Sequence, residues 1–230
     1  MTGNDDVDLD RVWLGIATEV WRRRPGRAER VAGRLLRSPG LARVLFTTPS
    51  LLMPWLIATI VVLGAGVAAT RSSGQPLVAL LAPGLAAAAI AYAYGPGIDP
   101  AWELSCSMAV SDRMVLLVRA LAVFAVNAVL GLLASAVSGA VAAVAVGWLM
   151  PMAALCALAL AVATVARSAI AGATAGLAVW AITVLSVRVA SGQVTAVVTR
   201  GVLVLPYLTV AACCALVAVH ATRIPKGTSR

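Results

Sequence analysis

Residues 95–119 read GPGIDPAWELSCSMAVSDRMVLLVR, a polar stretch set between two long apolar runs. Asp99, Glu103, Asp112, Arg113 and Arg119 all fall within it. Gly95, Pro96 and Gly97 end any helix that precedes them, because glycine and proline are the strongest local breakers. Asp99 then caps a new helix with Pro100 at its first position, where a missing N–H costs nothing. Glu103 falls in the first or second turn, where a carboxylate suits the positive helix end. From Pro100 to about Val110 the pattern fits a short helix with Trp102, Leu104 and Met108 available for burial. Ser111 and Asp112 cap the helix that enters the next apolar run. A capped helix at the root of two membrane spans is shaped to touch something outside the membrane. An interfacial loop helix with no partner has the same local pattern.

Working outward, composition sets the class. Hydrophobic residues make up 61% of the 230, charged residues only 12%, and the mean hydropathy is +0.97. Soluble domains are about half apolar and about a quarter charged, so one all-α integral membrane domain is expected. The net charge of +9 does not indicate a nucleic-acid partner. Its positive residues flank apolar runs, as in membrane-proximal arms and loops, and no aromatic-stacking RNA motif is present. Cys106, Cys156, Cys213 and Cys214 form no CxxC pair. Three of them lie in apolar runs, where cysteine is a small hydrophobe rather than a ligand or a disulfide.

The chain opens on Asp5, Asp6, Asp8 and Asp10, then places Leu9, Trp13, Ile16 and Val20 at helical spacing. Arginines and acids occupy the other side, the pattern of an amphipathic helix at a membrane surface. The run WRRRPGRAER (Trp21, Arg22, Arg23, Arg24 and onward) leads into a second mixed helix through Val31, Leu35 and Leu36. No cleavable signal is expected, since the first apolar run starts near Leu51 behind this charged arm. Residues 1–50 are therefore assigned to the interfacial arm, 51–221 to the transmembrane domain and 222–230 to a tail.

Six apolar runs follow, at about 51–69, 77–94, 115–137, 141–166, 169–187 and 202–219, each near the ~20 residues that cross a bilayer. The fourth is overlong and contains Pro151, which predicts a kink or a partly extramembrane portion. Its division from the fifth rests on Arg167 and Ser168 alone. With the N-terminus inside, fifteen of the eighteen Lys and Arg residues fall on the cytoplasmic side. Arg71, Arg188 and Arg200 remain outside, so both termini are placed in the cytoplasm by the positive-inside rule. The small-xxx-small series Ser168, Gly172, Gly176 and Gly131, Ser135, Gly139 mark close helix approaches, within the subunit by default and at a dimer seam in the sharper reading. Asn127, near the middle of the third span, is a candidate to line a path or to hydrogen-bond between helices.

Intrinsic catalysis is not expected. His220 is the only histidine and Lys226 the only lysine, which removes a GxxxxGK[ST] phosphate loop. Ser138 lies at the opposite end of its span from the side expected for His220, so a serine–histidine pair fails on depth. No metal cluster is legible. No Asp, Glu, Lys or His sits at a span centre, where proton and ion relays require one.

An arginine-rich arm, six spans with both ends inside and a capped cytoplasmic helix between the second and third resemble the membrane (permease) subunit of a type-2 ATP-binding-cassette exporter. Two stretches carry the resemblance specifically: RSPGLARVLFTTPSLL before the first span, and GPGIDPAWELSCSMAVSDRMVLLVRAL. The second resembles actinobacterial permeases of this family. The resemblance implies a coupling helix over residues 99–113 that docks on a separate ATPase subunit. Glu103, Asp112 and Arg113 would make its polar contacts, Asp99 would cap it and Trp102 would anchor it. It implies an interfacial helix around Trp13 to Arg37, no cofactor in this chain with ATP bound by the partner, and a second permease copy or a homologue alongside. The 188–201 connection would match the family's re-entrant element, although Arg188, Gln193 and Arg200 make it polar. The cargo would be a lipid, peptide or drug-like molecule. A membrane-anchored regulator or scaffold acting through its basic arm is the alternative reading, and a small lipid-modifying enzyme lacks the side chains for its chemistry.

Overall fold

A computed structural model describes residues 11, 13–14, 26–35, 49–92, 112–193, 196–199 and 204–221, and every element among them is helical. The helices are α1 (Arg27–Leu35), α2 (Pro49–Ser73), α3 (Leu77–Tyr92), α4 (Asp112–Ser138), α5 (Ala142–Gly147), α6 (Leu149–Ala166), α7 (Ala169–Ser191), α8 (Ala196–Thr199) and α9 (Val204–Ala221). They divide into two units, Met1–Phe46 and Thr47–Arg230.

In the first unit α1 places Arg27, Arg30 and Arg34 on one side, since residues three and four apart share a helix face. Val31, a quarter-turn or so round from that stripe, is exposed, as are Trp13 and Leu14 upstream.

Among the described residues of the second unit, five helical segments are long and apolar enough to cross a membrane: Pro54–Ser73, Met114–Ser138, Ala143–Ala166 (which runs through the α5–α6 joint), Ala169–Ser191 and Val204–Ala221. The chain is thus a multi-pass, all-α membrane protein. The expected spans fall on α2, α3, α4, α5 with α6, α7 and α9. Helix α3 is the shortest of the main helices: its 16 residues rise about 24 Å, against a hydrocarbon core of about 30 Å. It is nonetheless central, with ten of its residues buried from Val78 to Ala91. Alanines dominate that set, and their small side chains let α2, α4, α6 and α7 all pack against it. Helix α6 is the other hub, holding α3, α7 and α9.

Turn chemistry explains the reversals. Gly74 adopts φ +71°, a left-handed conformation that glycine takes without penalty. Its N–H donates to the Thr70 carbonyl, and the Leu77 N–H to Thr70 Oγ1 at 3.1 Å, closing the α2–α3 turn. Between α6 and α7 the whole connection is Arg167 at φ 53° and Ser168, whose Oγ accepts from the Ala171 N–H as an N-cap. The division expected at those two residues is where the chain turns. At the far end, Arg71 Nη2 donates to the Val137 carbonyl at 2.7 Å, tying α2 to the last turn of α4. A guanidinium there also suits the negative helix end.

The fourth expected span is interrupted at Trp148, which keeps a helical backbone and accepts from the Met152 N–H at 3.0 Å. Pro151 has no N–H for the Gly147 carbonyl, and its ring crowds that group; α5 stops at Gly147 and α6 starts at Leu149 with Trp148 between them. Helix α8, inside the 188–201 connection, folds back so that Ala196, Val197 and Val198 are buried against α5 and α7. The polar residues of that connection which the structure describes, Arg188 and Gln193, are exposed.

Of the small-residue series, Gly172 and Gly176 and then Gly131 and Ser135 lie within the chain's own packing, whereas Gly139 falls in the turn after α4 with nothing within 4 Å of a Cβ there. A Cβ on Gly172 would sit 2.5 Å from the Ala159 carbonyl oxygen, and one on Gly176 3.1 Å from Ala87 Cβ. Trp180 supplies the other link across α7: its Nε1 donates to the Leu80 carbonyl at 2.7 Å, one residue along from the carbonyl that Pro83 leaves free, while its ring lies over Gly84. Trp180→Phe keeps a ring and removes the donor, so a loss of about 0.6 kcal/mol, with ~1.7 as the ceiling, is expected. Trp180→Ala is expected to cost about 3–5 kcal/mol through the vacated ring volume. Denaturant titration in micelles separates the two.

Candidate functional site

Of the residues assigned to coupling, Asp99, Trp102 and Glu103 lie outside the described residues. Asp112 and Arg113 form the first turn of α4, as expected for a helix starting at that point. Of the arm residues, Trp13 is exposed, and Trp21, Arg22, Arg23 and Arg24 lie outside the described residues.

Asn127 is where the structure adds most. It is buried, at 4% exposure, on the face of α4 that also carries Gly131 and Ser135. Its Nδ2 donates to the Val123 carbonyl at 2.8 Å. That hydrogen bond runs within its own helix rather than to a neighbour, because the carbonyl four residues back is within reach of a short polar side chain.

One turn along, the indole of Trp148 comes down on Gly131. A Cβ there would lie 2.5 Å from Cη2 and 2.8 Å from Cζ2 of the ring. Glycine is required at that position because the ring fills the space a side chain would use. Trp148 is fully buried and its Nε1 has no hydrogen-bond partner; the same holds for Ser135 Oγ, one turn beyond Gly131, and for Thr59 Oγ1 on α2. Leaving such a group buried and unpaired costs about 1–3 kcal/mol.

Height relates the two helices. From the Arg71–Val137 contact, counting back at about 1.5 Å per residue brings Thr59 on α2 and Asn127 on α4 to about the same level. Asn127, Gly131 with Trp148 over it, and Ser135 thus follow one face of α4 over about 12 Å, with Thr59 near the level of Asn127, inside a bundle whose surroundings are Ala, Val and Leu. Sequence reasoning singled out Asn127 as polar and Gly131 and Ser135 as small. It missed Thr59 and Trp148, for which the available signal was weak: a tryptophan three residues before a proline in an apolar run.

No family model, curated relative or solved structure matches the chain. What the fold and this polar set define is a multi-pass helical membrane protein with an uncharged polar seam in its interior.

Proposed function

We propose that the chain is the permease subunit of an ATP-binding-cassette transporter of the type-2 exporter class, with six spans, α3 being the short second one. The observation that carries this reading is the polar element of residues 99–113, capped at its start by Asp99 and followed by the Ser111–Asp112 cap of the next helix, between two apolar segments of a chain that has no phosphate loop of its own. A mechanical input from a separate ATPase needs such an element on the membrane root. The positions of Lys and Arg support both termini and this element lying in the cytoplasm. In this reading ATP binding closes two ATPase subunits, and the coupling helix turns that motion into a rocking of the spans against a second permease. Alternating access requires two packings of the bundle and differential binding of ATP to one of them.

The test is co-purification from native membranes in mild detergent, comparing the wild type with Glu103→Arg, Asp112→Arg. An ATPase activity that elutes with the wild type and is lost with the variant, itself eluting as a folded protein, is the expected outcome. If no ATPase elutes with the wild type under conditions that hold known complexes of this class together, the transporter reading is withdrawn. The partners of the basic arm, and with them a scaffold role, would then be pursued.

A further inference from the structure

Hydroxyl groups in this bundle generally satisfy themselves locally. Thr70 donates to the Gly66 carbonyl at 2.7 Å and Thr164 to the Ala161 carbonyl at 2.8 Å. Even on the exposed side of α7, Thr174 and Thr183 return to the Ile170 and Val179 carbonyls. Thr59 and Ser135 depart from that habit: they are 0% and 1% exposed and their oxygens have no partner. Trp148 Nε1 is a third such atom in a fully buried residue, at 0% exposure; Trp55 Nε1, one turn before Thr59 on α2, and Tyr207 Oη on α9 are also unpartnered, in residues that are only partly buried. Orphaned atoms of this kind ask for an explanation, and the three in fully buried residues lie from the level of Asn127 to two turns beyond it on α4.

Trp148 also occupies a mechanically distinct position. It stands at the gap between α5 and α6, with Pro151 beyond it on α6. At the other end of the same short helix, Gly139 turns the chain at φ +77°. Helix α5 and the indole are therefore carried between two interruptions of the chain, and moving the ring's residue away from Gly131 engages one hydrogen bond of α6, from the Met152 N–H to the Trp148 carbonyl at 3.0 Å.

We propose that Trp148 is a plug that closes an intramembrane path lined by Asn127, Ser135 and Thr59, and that the path takes the uncharged hydrogen-bonding groups of an amphipathic molecule. The proposal rests on the transport reading above and names the wall and the ligand class for it. The wall offers hydroxyl, amide and indole N–H groups. No charged residue occurs between Arg119 and Arg167, or between Arg43 and Arg71. An ester, amide or hydroxyl would find both donors and acceptors there, whereas a carboxylate or ammonium would find no counter-charge and would carry its full desolvation cost. With the plug seated, the Thr59 and Ser135 hydroxyls stay dry and unpaired and the Asn127 amide is held by its own helix. With the indole withdrawn, water or cargo satisfies them.

Thiol accessibility in native membranes tests this. Cys106, Cys213 and Cys214 are replaced by alanine, which leaves the buried native Cys156, at 3% exposure, as an internal reference thiol. Ser135→Cys or Thr59→Cys, both near in size to the native residue, is then added. A charged methanethiosulfonate is applied to both sides of opened membranes, and modification is read as the mass of the purified chain. The introduced thiols are expected to react at least about tenfold faster than Cys156, a difference equivalent to about 1.4 kcal/mol in opening cost. Adding Trp148→Ala should speed Ser135→Cys by about tenfold again without moving the rate at Cys156, while Trp148→Phe, which keeps most of the bulk, stays near the parent rate. Introduced thiols no faster than Cys156 overturn the proposal. So does a Trp148→Ala effect that is absent, or that appears equally at Cys156 as general loosening. A sealed seam in a chain that still carries an ATPase removes the path alone. A hydrated seam in a chain with no ATPase removes the transport reading and leaves the site.

Discussion

Gly172→Leu is expected to leave no folded bundle in mild detergent. A glycine in a helix interior is about 0.8–1.0 kcal/mol worse than alanine when nothing else is at stake. Gly64 on α2 is such a position, with nothing within 4 Å of the place a Cβ would take, and Gly64→Ala is expected to be neutral or to stabilise by up to about that amount. At Gly172 the sign reverses. The added Cβ would lie 2.5 Å from the Ala159 carbonyl oxygen, 2.7 Å from Ala163 Cβ and 3.1 Å from the Ala163 nitrogen. Two of those three neighbours are backbone of α6 and cannot rotate away. Alanine alone forces α6 and α7 apart, at about the 1–3 kcal/mol typical of overpacking. Leucine adds three more carbons to the same wedge, and a bundle worth about 5–15 kcal/mol in total does not absorb that at its central seam. Helix association in lipid depends on van der Waals contact rather than on expulsion of water, so a lost close approach has no hydrophobic compensation. Size-exclusion profile and helical content of Gly64→Ala, Gly172→Ala and Gly172→Leu, side by side, check the order.

That seam also shows how far the chain could be read before its structure. The outline was legible because the signals are local: apolar length marks spans, and Arg167 with Ser168 marks a turn by charge and capping chemistry. Pro151 announced a disturbance, and the break came at Trp148, on the side where the proline ring meets the preceding carbonyls. The interior arrangement was not legible. A span that faces lipid and a span that faces its neighbours are both apolar all round, so α3, buried on most of its surface, and α9, exposed on most of its surface, look alike in composition. Two small-residue series fit equally well with packing inside the chain or between copies, and only the positions of Ala159, Ala163 and Trp148 assign Gly172 and Gly131 to the former, while Gly139 proves to be a turn residue. Of the candidate site, Asn127 was visible because amides are rare in spans. Thr59 and Ser135 were not, since Ser and Thr in membrane helices usually bond their own backbone, and only the fold reveals the pair that do not.

Gly147→Ala should have a large effect of a different kind, confined to one corner of the molecule. An added Cβ at Gly147 would overlap the carbonyl oxygen of Val198 on α8 and come within 3.3 Å of the Val198 carbonyl carbon. As at Gly172, the obstruction is backbone, so no rotamer change relieves it. The element displaced is α8, four residues long, held by α5 and α7, whereas at Gly172 it is half the bundle. The cheaper response is for α8 to leave its seat, exposing Ala196, Val197 and Val198, which are 5%, 1% and 7% exposed when docked. Burying three such side chains is worth a few kcal/mol at about 25 cal/mol per Å², enough to shift the connection from docked to undocked without unfolding α6. Hydrogen exchange is the discriminating measurement. Amides of residues 196–199 are expected to lose about 10²-fold or more of their protection, as local opening replaces a closed state, while those of α3 and α6 keep theirs. Loss of protection throughout α6 would mean that α8 is part of the bundle's cooperative core. Unchanged protection in both would mean that α5 moves instead, carrying Trp148 with it, and the thiol at Ser135→Cys would report that movement.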